Sequence, residues 1–156
     1  MKVHLIAVGD RMPRWVQDGY QEYAKRLPPG CALRLVEIAA ARRGKNADIA
    51  RIMRDETDRL LAAVPQGSRV IALEVGGRGW STEALSQQLG QWLAGGQDVA
   101  LLVGGPDGLG KAAREAAQQL WSLSPLTLPH PLVRVLLAEQ LYRAWSLLNN
   151  HPYHRA

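Results

Sequence analysis

Residues 98–110, DVALLVGGPDGLG, join a wholly apolar segment to a glycine-rich turn, and this stretch decides the fold. An apolar run without alternation is typical of a strand that is covered on both faces, as in a parallel sheet. Residues 2–8, 32–38, 69–75 and about 119–123 also have strand character, and segments with helical spacing separate them. This alternation predicts an α/β fold with a mainly parallel sheet flanked by helices.

Capping and breaking residues predict where the helices begin and the strands end. Asn46 is the expected N-cap of the second helix, and Ser81 or Thr82 is that of the third. The glycines at 76–79 are expected to end the third strand. The last helix is predicted over about residues 131–149, and its wide apolar stripe is typical of either a homodimer contact or a deeply buried helix.

Composition places the chain among globular proteins. It has 156 residues, a formal net charge of +5, 47% hydrophobic and 21% charged residues, and this balance excludes a disordered chain. The length predicts one domain, residues 1–156. Cys31 is the one cysteine, which excludes an intramolecular disulfide framework. Because we find no signal peptide, and prolines interrupt the uncharged segment 116–133, we expect a cytoplasmic protein without a membrane partner.

A basic segment covers residues 40–55. It holds five basic residues against Asp48 and Asp55, a local charge of five minus two, or +3. Such a cluster suits a polyanion, but it is also typical of a solvated basic turn that precedes a helix. The basic residues are Arg42, Arg43, Lys45, Arg51 and Arg54.

The glycine-rich loop fits three interpretations. The run GPDGLGK, ending at Lys111, has the spacing of a phosphate-binding loop, but Ala112 cannot supply the hydroxyl that holds Mg²⁺. A GxGxxA dinucleotide fingerprint begins at Gly108, without the acidic residue required about twenty positions later. The third interpretation is a tight turn whose glycines serve helix packing.

The segment 121–134, WSLSPLTLPHPLVR, contains three prolines in a largely apolar stretch and cannot form one regular element. A rigid apolar loop with exposed backbone groups suits an adenine ring, which it can bind through main-chain hydrogen bonds. A loop buried between helix and sheet is the alternative. Both interpretations stay open on these residues alone.

Three of the four histidines, His130, His151 and His154, lie in the last 27 residues, together with Tyr153 and Arg155. Zinc binding is disfavoured because His151 and His154 have no neighbouring carboxylates. Aromatic, arginine and histidine side chains together suit a flipped or single-stranded base, through stacking and phosphate contacts.

Four motifs carry a resemblance that covers nearly the whole chain. They are GKNADI at 44–49, VGGPDGL at 103–109, WSLSPLTLPHPLVRVLLAEQLYRAW at 121–145 and NNHPYHR at 149–155. With these motifs the sequence resembles the ribosomal RNA large subunit methyltransferase H family, SPOUT-class enzymes that methylate N3 of a pseudouridine in 23S rRNA. It departs from the family pattern at Gly110, where serine is expected, and at Ala156, where an acidic residue is common.

The resemblance implies a C-terminal trefoil knot, a homodimer, and S-adenosylmethionine (SAM) bound in the knot as methyl donor, without a metal. Its partner would be 23S rRNA within the large subunit or the whole ribosome, with no role for DNA. The residues implied to contact the donor are Leu73, Gly104, Leu123, Ser124, Pro125, Leu126, Thr127 and Leu128.

The implied reaction assigns roles to a few further residues. His130 and His154 are candidates for handling the N3 proton, although His130 fits a loop-ordering role equally well. Arg155 is a candidate for stabilising negative charge on the uracil oxygens, and Tyr153 for stacking on the base. The tail of one subunit is expected to complete the cofactor site of its partner. The basic residues Arg42, Arg43 and Lys45 are expected to contact rRNA phosphates.

Two other functions remain as alternatives. One is a non-catalytic ribosome-binding or RNA-binding factor, which the intact glycine loop and the LSPLTLPHP segment disfavour. The other is a nucleotide-dependent enzyme that uses GPDGLGK, which Ala112 disfavours.

Overall fold

The structure, a computed structural model, describes residues 1–155, with side chains over residues 1–153. Five strands and five helices alternate along the chain. The strands are β1 (Lys2–Val8), β2 (Ala32–Ile38), β3 (Arg69–Gly79), β4 (Val99–Val103) and β5 (Gln119–Ser122). The helices are α1 (Arg14–Ala24), α2 (Ile49–Ala62), α3 (Thr82–Gly95), α4 (Lys111–Ala116) and α5 (His130–Leu148). Short 3₁₀ turns cover Pro29–Cys31 and Pro152–Arg155.

The strands form one sheet in the order β2-β1-β4-β3-β5, and each neighbouring pair is parallel. The predicted parallel α/β fold is therefore confirmed. In a sheet of this kind the carboxyl ends of all strands lie along one edge, which is where such folds bind ligands. The glycine loop after β4 and the turn after β3 lie at this edge.

Each face of the sheet has its own core. On one face, Leu5 and Leu101 pack with residues of α1, α3 and α5. On the other face, Ile6 and Leu102 pack with residues of α2 and α4. All four side chains are 0% exposed, and burial of each contributes about 1.5–3 kcal/mol. Alternate residues of β1 and β4 thus face opposite cores, which explains why β4 has no polar position.

Two of the predicted boundaries are wrong. The N-cap of α2 is Asp48, whose side chain accepts from the Arg51 backbone N–H at 3.2 Å, rather than Asn46. The third strand continues through the glycines to Gly79, because it pairs again with β5 after a register shift between Leu73 and Arg78. The predicted Ser81 cap of α3 is confirmed, with the Ala84 N–H 3.0 Å from its hydroxyl.

Helix α5 packs against both α1 and α3, and its side chains Leu137, Ala138 and Ala144 are fully buried. Part of the wide apolar stripe is therefore buried within one chain, whereas Leu132, Leu136 and Leu147 are half-buried, and the homodimer contact stays a prediction. The trefoil knot stays a prediction. Over the described part of the chain, the helices are too short or too polar to cross a membrane.

Candidate active site

A cleft of about 350 Å³ opens at the carboxyl edge of the sheet, beside residues 73–75 of β3 and the end of β4. One wall is the glycine loop after β4, and the other is the proline-rich loop between β5 and α5. The volume lies within the usual range of about 300–1,000 Å³ for small-molecule sites. The cleft brings together the two loops that the sequence singled out.

Close backbone packing shapes the glycine wall. Gly105 and Gly108 form an isolated bridge, with the Gly108 N–H donating to the Gly105 carbonyl at 3.0 Å. A Cβ atom on Gly104 would overlap the carbonyl group of Gly108. Glycine is required at 104 for this reason, and the loop presents the backbone of three glycines to the cleft beside Pro106 and Leu109.

Two serines order the opposite wall. The Ser122 hydroxyl donates to the Ser124 carbonyl at 3.0 Å, and the Ser124 hydroxyl accepts from the Leu126 N–H at 2.9 Å. These bonds hold an irregular loop in one conformation, as side chains often do where regular pairing is lost. The Leu126 side chain is 71% exposed, which is unusual for leucine and leaves an apolar surface at the cleft.

The structure brings together most of the residues implied for the methyl donor. Seven of the eight line the cleft, and Pro125 is not among the lining residues. The seven are Leu73, Gly104, Leu123, Ser124, Leu126, Thr127 and Leu128. His130, predicted for proton handling, also borders the cleft.

The sequence analysis did not identify several of the residues that line the cleft. Glu74 and Val75 follow directly on Leu73, at the carboxyl end of the third strand as the sequence predicted it, and this position could have identified them. Others, such as Trp121, line the cleft because of packing that no local pattern reveals. The remaining missed residues are Val103, Gly105, Pro106, Gly108, Leu109, Ser122, Pro129 and Val133.

His130 begins α5 at the edge of the cleft. Its Nδ1 atom is buried without a hydrogen-bond partner. Burial, together with the positive charges of Arg134 and Arg43, lowers the pKa of His130. The ring is therefore neutral at pH 7, and a neutral imidazole with an unpaired nitrogen is able to accept a proton.

Arg134, one turn further along α5, fixes the start of this helix. Its side chain is 1% exposed and donates to the Glu37 carboxylate at 2.7 Å and to the Gly9 carbonyl at 2.6 Å. These bonds join α5 to the carboxyl ends of β1 and β2. His130 is positioned by this buried arginine, whose charge also helps to keep the imidazole neutral.

The predicted RNA-contacting residues differ in their surroundings. Arg42 and Lys45 are exposed. Arg43 is instead held by Glu56, through bonds of 2.9 and 2.8 Å, and by Asp107 at 2.7 Å. Its guanidinium ties the basic segment to α2 and to the glycine loop, so Arg43 has less freedom to contact a phosphate than its two neighbours.

The C-terminal tail packs on its own chain. The Tyr153 hydroxyl donates to the Glu139 carboxylate at 2.6 Å, and its ring lies 4.7 Å from that of Tyr142. Arg143 lies over the Tyr153 ring, 5.0 Å from its centroid. Burial and the bond to Glu139 raise the pKa of Tyr153. The side chains of His154 and Arg155 are outside the described residues.

Two further possibilities considered for this sequence are a phosphate-binding loop that ends at Lys111 and a metal site. Lys111 is 81% exposed and pairs with Glu115 on its own helix, 3.6 Å away, rather than pointing into the cleft as a phosphate-binding lysine would. Within residues 1–153, no group of three or more His, Cys, Asp or Glu side chains is arranged to hold a metal ion.

Comparison with known proteins gives a family model and a 59% identical relative, each of which matches nearly the whole chain. Residues 1–154 match the family model described as "Predicted SPOUT methyltransferase". The chain is 59% identical to "Ribosomal RNA large subunit methyltransferase H" of Methylococcus capsulatus, over 99% of this chain and 100% of that protein.

Solved structures share the fold at low identity. A methylase family protein of Haemophilus influenzae aligns with a TM-score of 0.59 at 13% identity, covering 99% of this chain and 70% of its own. A candidate methyltransferase of Legionella pneumophila, solved with bound SAM, aligns with a TM-score of 0.52 at 13% identity, over 93% of this chain. This chain spans only 66% of the Legionella chain.

Proposed function

Since a family model matches residues 1–154, this chain belongs to the SPOUT methyltransferase family, and we propose that it transfers a methyl group from SAM to N3 of a pseudouridine in 23S rRNA. The main support for this proposal is that seven of the eight residues that the family resemblance implies as contacts of the methyl donor line one cleft. The Methylococcus relative, named as an rRNA large subunit methyltransferase, supports the substrate class.

The cleft fits SAM in chemistry as well as in size. The donor has an adenine ring, which suits apolar walls with backbone hydrogen-bonding groups. It has no phosphate, which agrees with the exposed position of Lys111. When bound, SAM supplies a methyl group on a positively charged sulfonium sulfur. The chain then has to align the base and handle its N3 proton.

His130 is our first candidate for accepting the N3 proton. It borders the cleft and its imidazole is neutral. His154 is the second candidate, and Arg155 is proposed to stabilise negative charge on the uracil oxygens. The roles of these two tail residues rest on the family resemblance.

The tail supports a composite site in a homodimer. Tyr153 binds Glu139, which follows Val133, the last described residue of the cleft lining, by six residues on α5, a distance of about 9 Å along a helix. The described residues of the tail do not line the cleft of their own chain. We therefore propose that the tail of one subunit completes the site of its partner, where Tyr153 would stack on the base.

The basic segment is our candidate for the rRNA contact. Arg42 and Lys45 are proposed to contact phosphates directly, and Arg43, with fewer free donors, contributes more by holding the segment in place. The substrate would be 23S rRNA within the large subunit or the whole ribosome, in the cytoplasm.

Calorimetric binding tests this function against its alternatives. SAM should bind the purified protein, whereas ATP and NAD should not. Binding of ATP or NAD without SAM would favour a nucleotide-dependent enzyme, and rRNA binding without SAM would favour a non-catalytic factor.

A further inference from the structure

Glu74 is the one acidic side chain among the described residues that line the cleft. The other lining residues are apolar, carry hydroxyl groups or present backbone, apart from His130. The Glu74 side chain is 29% exposed. It is therefore partly removed from water but still accessible to a bound molecule.

An irregularity in β3 places Glu74 at this position. Pairing between β3 and β5 shifts register between Leu73 and Arg78, so Glu74 lies in the unpaired part of the strand. Gly77 allows the strand to pass close to β5, because a Cβ atom there would lie 2.7 Å from the Leu120 carbonyl carbon and oxygen. Such a register shift is typical of a β-bulge, and bulges near active sites commonly change the direction of a side chain.

The charge of Glu74 is only partly balanced by its neighbours. The nearest cation is Arg114, whose Nη1 atom lies 4.0 Å from the Glu74 carboxylate, at the outer limit of an ion pair. The same nitrogen donates to the Leu109 carbonyl at 2.9 Å. His130 is the other titratable group of the cleft and is neutral, because burial and nearby arginines lower its pKa. Among the described residues that line the cleft, Glu74 is therefore the side chain that carries a full charge at pH 7.

We propose that Glu74 makes the donor site selective for charge, favouring SAM over the thioether product S-adenosylhomocysteine. This inference rests on the proposed function. During transfer the bond from sulfur to the methyl carbon breaks and its electron pair stays on sulfur. The methyl carbon bonds to N3, and the N3 proton leaves to a base. The sulfur thereby loses its positive charge, so the attraction to Glu74 ends when the reaction does, and the product is released more readily than the donor.

The test measures the dissociation constants of SAM and S-adenosylhomocysteine by calorimetry on the intact protein. Glu74→Gln should lower the preference for SAM over the product by about tenfold, the scale of one partly screened charge pair. Affinity for the product should stay within about twofold of wild type. Glu74→Asp keeps the charge and should keep most of the preference.

Glu115→Gln is the matched control, since Glu115 is 64% exposed, pairs with Lys111 and does not line the cleft. It should leave the preference unchanged. Wild type offers a readout that needs no variant: the preference should fall as salt rises from about 0.05 M to about 0.5 M, because salt screens charge.

If Glu74→Gln lowers the affinities for SAM and for S-adenosylhomocysteine equally, the proposal that Glu74 selects for charge is overturned. A preference for SAM in wild type that does not change with salt would also overturn it. Failure of wild type to bind either molecule would instead overturn the proposed function, and this inference with it.

Discussion

Arg43 and Glu56 form a two-point ion pair, in which Nη1 and Nη2 of the arginine donate to the two carboxylate oxygens at 2.9 and 2.8 Å. Glu56 is 2% exposed, and it also accepts from the Ala41 N–H at 2.9 Å. Asp107 binds the remaining side of the guanidinium. This pair joins the basic segment, α2 and the glycine loop of the cleft.

Glu56→Gln should lower the free energy of unfolding by about 2–4 kcal/mol at pH 7, because it removes the buried carboxylate that holds the Arg43 guanidinium at two points and leaves Asp107 as its charged partner. Denaturant unfolding measures this change. Asp55→Asn is the control, since Asp55 is 64% exposed and pairs with Arg59 on the helix surface. It should cost under about 1 kcal/mol. Equal losses in the two variants would contradict the account of the buried pair.

Acidification should weaken the same contact. Burial alone would raise the pKa of Glu56, but hydrogen bonds from Arg43 and Ala41 outweigh it and lower the pKa below its ordinary value of 4.5. The folded state therefore binds fewer protons than the unfolded state as pH falls below about 4.5, and stability declines. This stability is fully present above 4.5 and lost towards the lowered pKa. Unfolding curves at several pH values should show a shallower decline in Glu56→Gln.

Arg42→Ala and Lys45→Ala should each weaken rRNA binding and reduce the slope of log affinity against log salt by about one unit. Their side chains are exposed, so folding stability should change little. Arg14→Ala is the control, because Arg14 is 92% exposed and lies on α1, outside the basic segment. A salt slope unchanged from wild type in both variants would remove this segment from the RNA interface.

Loss of a general base commonly slows a reaction by about 100- to 10,000-fold, and His130→Ala or His154→Ala should show a loss of this order. Because the pKa of His130 is lowered, its acceptor form persists below pH 6.5. If His130 is the base, the wild-type rate should stay level there and fall only at more acidic pH. Single-turnover rates across pH test this. Wild-type rates in both variants would contradict the general-base role.

Gly104→Ala should abolish SAM binding or destabilise the glycine loop, because the new Cβ would overlap the Gly108 carbonyl. Gly95→Ala is a matched control near the end of α3, where a Cβ atom would meet nothing within 4 Å. It should keep SAM affinity and stability. Comparable SAM affinity in the two variants, by calorimetry, would argue against the glycine wall as a binding surface.

Deletion of residues 151–156 should abolish methyl transfer and leave SAM affinity within a few fold of wild type, because the described lining of the cleft ends at Val133. Calorimetry and sedimentation would accompany the transfer assay. Loss of dimerisation or folding in the truncated protein would contradict the assignment of the tail to the reaction.

The regular elements were predictable because their patterns are local. The unbroken apolar character of β4 indicates a strand covered on both faces, and Val99–Val103 is buried at every position. The continuation of β3 through Gly77 was not predictable, because it depends on pairing with β5, more than forty residues away in the chain. The Asp48 cap was missed because Asn46 and Asp48 are both good capping residues.

The candidate site was predictable where a long motif carries it. Gly104 and most of the LSPLTLPHP segment line the cleft, with Pro125 outside its lining, and their contact with the methyl donor stays a prediction. Glu74 has no motif, and its position follows from the register shift in β3. The ion pair of Arg43 with Glu56 was also hidden, because a basic cluster in the sequence does not show which of its charges is already neutralised by folding.

Transfer of labelled methyl from SAM to ribosomes that lack the modification tests the central claim most directly. Free 23S rRNA and ribosomes without the pseudouridine serve as parallel substrates. The account predicts label at N3, only where the pseudouridine is present. Absence of label on every substrate, from protein that binds SAM, would contradict the assigned reaction.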